Sequence, residues 1–378
     1  MITIPKMPLY WRFKDTPGSG PSEPPGLVPF TFDFDKDLNL FIEGRSPELT
    51  KVLEDIYSRH ANVGFLQDGH SLINTYGADF WRFLSELISQ HPVRSVLEIG
   101  CGGCVLLERL SKLGCRVLGI DPSPFAAEAG KRKGIEVMQE FFPSPKLDWS
   151  PDLIFQVDVL EHIESPLEFL KSQTDLIKPG GMIVVNVPDC SRSLERGDMS
   201  MALHQHVNMF DMTSLPYLFR RAGLELVKME RSRYGGALYC AAKKVAEPIT
   251  FEPDTYAEAR WEKFAIKLEL NIKSFGQHIA RARESGDTIG FFMPQRAFPY
   301  LGTFDWFEGF RIFDNMNVWH RRYLDGLDIA VENQADLVKK PVQHIFVMSL
   351  TFGDEVAQAL RNDVPEMRVT TLDEILFK

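Results

Sequence analysis

Three observations predict an α/β protein, a doubly wound sheet followed by a second, smaller α/β domain. The first is the stretch VLEIGCGGC over 96–104, an apolar run that passes through Glu98 and breaks into glycines. Val96, Leu97 and Ile99 predict a buried strand, and Gly100, Gly102 and Gly103 predict a turn with no side chains in a ligand's way. The second is that strand and helix patterns alternate from there to Lys244. The third is that the alternation resumes after a long amphipathic stretch over 255–282.

With 378 residues and a formal net charge of -10, the chain is long enough for two domains and too acidic for nucleic acid to be its main partner. No apolar run reaches bilayer-spanning length, and the amino terminus lacks a secretory pattern, so no membrane span and a cytoplasmic location are expected. The five cysteines form no disulfide framework. Cys101 and Cys104 make a C-x-x-C inside the glycine turn, with no second pair at zinc-ligand spacing, and the expectation is reduced thiols and no metal.

Residues 1–45 are rich in proline, glycine and aspartate, and PGSGPSEPPG from Pro17 carries no periodicity, so an extended or partly disordered arm is expected. Residues 46–92 predict a helical lead-in covering the ligand site. Leu49, Val52, Leu53, Ile56 and Tyr57 repeat at helical spacing behind Ser46 and Pro47, and Phe80, Phe83, Leu84, Leu87 and Ile88 mark a second helix. Gln67, His70 and Tyr76, between or beside them, read equally as pocket residues and as loop or cap residues.

The ligand-binding domain is predicted over 93–245. After the glycine turn, Leu106, Leu107, Leu110 and Leu113 share a helical face that Gly114 ends. CRVLGID then predicts a second strand ending in Asp121, about twenty residues beyond the glycines, where a carboxylate can hydrogen-bond both hydroxyls of a ribose. A nucleoside ligand is implied. DLIFQVDVL predicts a further strand with Asp158 at its carboxyl end, and ligands of doubly wound sheets lie beyond those ends. Glu98, Asp121, Asp158 and the neighbours Gln139 and Glu140 should therefore converge on one crevice.

The glycine pattern is acidic-x-Gly-x-Gly rather than Gly-x-Gly-x-x-Gly. Together with Asp121 and the run from DVLEHI through KPGG to VNVPD, it resembles the class I S-adenosylmethionine-dependent methyltransferases over roughly 94–244. The resemblance implies a Rossmann-like methyltransferase sheet and S-adenosyl-L-methionine as cofactor. It puts Glu98 near the cofactor's amino acid part, the backbone of Gly100, Cys101 and Gly102 beside it, Asp121 on the ribose, and Gln139 and Asp158 at the site's edge. Cys104 stands where the family often has a third glycine. LHQHVNMF over 203–210 is similar to the Tyr-His-Glu-His segment of the sugar C-methyltransferase subgroup; His204 and His206 are kept, while Leu203 and Gln205 replace the Tyr and the Glu.

Methyl transfer from a sulfonium needs an aligned acceptor and a group to take its proton, and a histidine near its ordinary pKa suits the second task. His206 is the expected base, with His162 and His204 orienting or polarising the acceptor. The resemblance implies a nucleotide-linked sugar or related carbohydrate or natural-product intermediate, methylated at carbon, oxygen or nitrogen. A quinone or polyketide O-methyltransferase, and a cofactor-binding assembly protein without catalysis, stay open as alternatives. Residues 255–285 predict a connecting helix and 286–378 a carboxy-terminal Rossmann-like α/β domain, which resembles the one that follows the catalytic domain in that subgroup. MPQRAF replaces its glycine-rich first turn, and Asp314 and Asn315 are expected at a strand's carboxyl end.

Overall fold

The computed structural model describes residues 1–9, 13–18, 26–59, 71–245, 255–304, 309–316 and 319–377. Two compact units emerge, one of Asp35–Asp189 with Gln205–Thr255, the other of Met1–Phe34, Cys190–His204 and Tyr256–Lys378.

The first unit is built on a seven-stranded sheet in the order Leu224–Arg231, Ala237–Lys244, Met182–Pro188, Leu153–Val157, Ser95–Ile99, Arg116–Ile120, Val137–Met138. The last five run parallel, Ala237–Lys244 is antiparallel to Met182–Pro188, and Leu224–Arg231 is antiparallel to Ala237–Lys244. Every residue of Ser95–Ile99 is buried, as a central parallel strand covered on both faces requires. Alternate side chains feed two apolar clusters: Leu97, Ile99, Ile183 and Val185 join one, and Val96, Val184, Phe83 and Leu107 join the other. Strand order reverses between Ser95–Ile99 and Leu153–Val157, which leaves a crevice beyond their carboxyl ends. This is the doubly wound sheet the glycine stretch predicts.

The second unit contains a five-stranded parallel sheet in the order Val331–Glu332, Phe310–Phe313, Ile289–Phe292, His344–Val347, Arg368–Thr371, with the long helix Ala257–Glu284. Cys190–His204 belongs here rather than with the sheet it follows in sequence. Arg192 and Arg196 pair with Asp373, and the Tyr300 hydroxyl donates to Asp198 at 2.8 Å.

The described parts of the first forty-five residues form strands that their proline and glycine content obscures. Ile2–Pro8 pairs antiparallel with Leu27–Asp35, and Leu40–Glu43 pairs antiparallel with Asn208–Met209. Phe30 and Phe32 are fully buried, so period-two alternation of aromatics outweighs the turn-forming residues around it. Among the described residues no helix is long and apolar enough to cross a membrane.

Candidate active site

The crevice begins with the glycine turn. Gly100 has a φ of +73° and donates its N–H to the Ile120 carbonyl at 2.8 Å. A Cβ at this position would come within 2.5 Å of Val159 Cγ2, so the turn closes on the loop after Leu153–Val157 only because no side chain intervenes. Cys101 is buried with its thiol packed toward Gly119 of the second strand, which leaves its backbone to face the turn. Cys104 adopts a left-handed φ of 55°, a conformation that costs a non-glycine residue about 1–2 kcal/mol, and its sulfur lies 3.8 Å from that of Cys101.

Glu98 is buried, and burial first, then the neighbouring Cys104 and Asp121, raises its carboxyl well above the ordinary range. Its Oε2 has no hydrogen-bond partner. A buried acceptor without a partner beside an open turn suits a ligand with a donor group, such as an amino acid's ammonium.

Asp121 closes the second strand and serves the protein before it serves any ligand. Its Oδ2 accepts the Gly102 N–H at 2.9 Å and its Oδ1 the Ser123 N–H at 2.8 Å. Each carboxylate oxygen has a second acceptor site, so the residue pins the glycine turn and still has capacity for two ribose hydroxyls. Burial nonetheless raises its pKa. Gln139 follows Val137–Met138 and reaches the Pro122 carbonyl at 3.5 Å, beside Asp121. Glu140 turns away, bonded to Ser144 and Lys146. Asp158 has a φ of 52°, donates its N–H to the Asn186 carbonyl at 3.0 Å, and is pushed up to about 6 by burial. This donor and acceptor set suits a nucleoside that carries an amino acid.

The next group lies on the turn Leu160–His162. The His162 ring nitrogen Nδ1 sits 2.7 Å from the Gln205 carbonyl. A carbonyl only accepts, so the proton is on Nδ1 and Nε2 carries the lone pair. Burial lowers His162 to about 4, which keeps it neutral at physiological pH. Its Nε2 lies 3.7 Å from Glu161 Oε1, and its ring meets that of His206 edge-on with centroids 5.0 Å apart. Glu161 is 1% exposed with neither carboxylate oxygen hydrogen-bonded, and burial with the nearby Asp158 raises it well above the ordinary range. The ligand atoms of Glu161, His162 and His206 all lie within 4.8 Å of one another. Two imidazoles and a carboxylate are a donor set that a divalent cation accepts. Cysteine spacing, on which the expectation of no metal rested, says nothing about such a group.

His204 does not join this group. It belongs to the second unit, where its Nε2 meets the Pro29 carbonyl at 3.3 Å and its ring packs edge-on against Phe30. Tyr76 ties its helix to a hairpin, its hydroxyl donating to the carbonyls of Tyr234 and Gly235 at 3.1 and 3.0 Å. Gln67 and His70 lie outside the described residues.

Besides Glu161, two buried polar residues escaped the sequence reading. The Asn208 amide donates to the Leu160 carbonyl at 3.1 Å and the Ile163 carbonyl at 2.7 Å, clamping the turn that carries His162. Glu43 donates its N–H to the Val207 carbonyl at 2.7 Å, and its Oε2 accepts from Arg45 Nε and Nη2 at 3.0 and 2.8 Å. Burial pushes the Glu43 carboxyl up to about 8 despite Arg45. The folded state therefore holds this proton between the ordinary carboxylate range and pH 8 while the unfolded state releases it, so stability falls as pH rises through that window. Glu43→Gln should flatten this decline, worth roughly 3 kcal/mol by pH 7, in denaturant midpoints followed from pH 5 to pH 8. An unchanged slope would mean that Glu43 is ionised in the fold.

Comparison with known proteins shows what part of the chain is similar to. Residues 72–229 match the family model described as a methyltransferase domain. The mitochondrial ubiquinone biosynthesis O-methyltransferase of Schizosaccharomyces pombe is 28% identical over 166 residues, 40% of this chain and 60% of that protein. The ubiquinone biosynthesis O-methyltransferase of Dinoroseobacter shibae is 32% identical over 127 residues, 31% of this chain and 49% of that protein. The chain thus spans about half to three fifths of these relatives' lengths. Among solved structures, the N-methyltransferase NodS of Bradyrhizobium japonicum, in complex with S-adenosyl-L-homocysteine, aligns with 52% of this chain and 98% of its own at 20% identity and a TM-score of 0.40.

Proposed function

We propose that this chain, which carries a methyltransferase domain over residues 72–229, transfers a methyl group from S-adenosylmethionine to a hydroxyl, amine or activated carbon of a carbohydrate intermediate, free or nucleotide-linked. The observation that supports the reading is that Glu98, with Oε2 lacking a partner, and Asp121, with spare acceptor capacity, lie at or beside the carboxyl ends of adjacent parallel strands, while the turn that carries His162, edge-on to His206, follows the neighbouring strand Leu153–Val157.

When bound, the cofactor supplies an electrophilic methyl on a sulfonium. Asp121 would hold the ribose, Glu98 the ammonium, and the backbone of Gly100 to Gly102 the side of the amino acid portion. His206 would take the proton that the acceptor gives up on methylation. His162, held neutral and fixed by Gln205, would orient the acceptor.

The carbohydrate acceptor is supported by LHQHVNMF. Phenolic O-methylation is favoured instead by the sequence identity with proteins named for ubiquinone biosynthesis. Incubation with methyl-labelled cofactor against sugar nucleotides, free sugars and catechols decides between them. Label is expected in a carbohydrate, and label confined to catechols would overturn that reading.

A further inference from the structure

We propose that the cavity walled by Glu43, Arg45, Thr50, Glu164 and Asn208 is the acceptor subsite, and that it receives a hydroxyl-rich group with no anionic charge, such as an unphosphorylated sugar ring. The inference rests on the proposed function, since it assigns the cavity to the acceptor of that reaction. The cavity measures about 450 Å³, within the size range of small-molecule sites.

Its position follows from three contacts. Asn208 holds the carbonyls of Leu160 and Ile163, on either side of His162, and stands two residues after His206. Glu164 continues the same turn and accepts a hydrogen bond from the Thr50 hydroxyl. Glu43 enters through the pairing of its strand with Asn208–Met209. A molecule seated in the cavity therefore has among its walls Glu164 and Asn208, which adjoin the turn that bears His162.

Its chemistry follows from the wall. Glu43 and Asn208 are 3% and 2% exposed, and Glu43 Oε1 and Asn208 Oδ1 have no hydrogen-bond partner. Buried polar atoms left in this state are costly, and ligand hydroxyls reaching both would relieve the cost. Among the lining residues, Asp35, Glu43, Glu54 and Glu164 face only Arg45 and Lys51 as cations. Arg45 is engaged by Glu43 through two of its nitrogens, so a phosphate or carboxylate entering here would find carboxyl groups without a ready guanidinium fork. Ile42 and Val207 supply apolar surface for the C–H faces of a ring.

Saturation-transfer NMR on the full chain tests this, with methyl α-glucopyranoside, inorganic phosphate and catechol as probes and S-adenosylmethionine binding measured in parallel by calorimetry. The glucoside should give a signal, compete with neither phosphate nor catechol, and lose at least about fivefold in affinity in Glu43→Leu. Thr50→Trp, which fills the cavity from a helix surface, should abolish the signal while cofactor binding persists. No glucoside signal in the parent, a signal that survives both substitutions, or displacement by phosphate or catechol would overturn the subsite and leave methyl transfer standing. Absence of cofactor binding in the parent would overturn both.

Discussion

His206→Asn is expected to bind S-adenosylmethionine with parental affinity and to turn over about two to four powers of ten more slowly, the usual cost of losing a general base. The neighbouring imidazole cannot readily substitute for it. His162 is committed through Nδ1 to the Gln205 carbonyl, and burial lowers it to about 4, which makes it a weak base. An acceptor that ionises unaided should recover part of the rate at high pH. Near-parental turnover at neutral pH would instead leave catalysis to alignment alone. If a chelator silences the parent and a divalent cation restores it, His206 with Glu161 and His162 holds that cation rather than the acceptor's proton.

Gly100→Ala is expected to weaken cofactor binding by at least about tenfold and to lower the melting temperature. Two costs combine at this position. A left-handed conformation disfavours any Cβ by about 1–2 kcal/mol, and the new carbon would lie 2.5 Å from Val159 Cγ2. Relief requires the glycine turn to separate from the loop that begins at Asp158, and those two loops form the crevice. Gly103→Ala is the control, because its Cβ would meet nothing nearer than 3.8 Å. Calorimetry and thermal melting should separate the two variants clearly. Equal behaviour would mean that the turn's close approach does not shape the cofactor site.

The glycine turn, the strand behind it and Asp121 were legible in the sequence because each depends on neighbours a few residues away. Buried alternation marks the strand, and a backbone that must go left-handed marks the turn. Asp121's second task was not legible: its bonds to Gly102 and Ser123 are visible only once the two turns lie side by side. Glu43, Asn208 and Glu161 were missed for a related reason. Each is a polar residue that tertiary pairing buries, and nothing in its local pattern sets it apart from a surface residue. The contacts of LHQHVNMF were not legible either: His204 packs on Phe30, while His206 meets His162. The amino-terminal strands were obscured by prolines and glycines, whose turn-forming weight hid the alternation of Phe30 and Phe32.

Calorimetric titration of S-adenosylmethionine into the parent and into Asp121→Ala tests the central claim most directly. Saturable binding at one site is expected in the parent, with a loss of about 1–3 kcal/mol in the variant, the range for a hydrogen bond to a charged group. No binding heat in the parent at millimolar cofactor, or parental affinity in Asp121→Ala, would contradict the account.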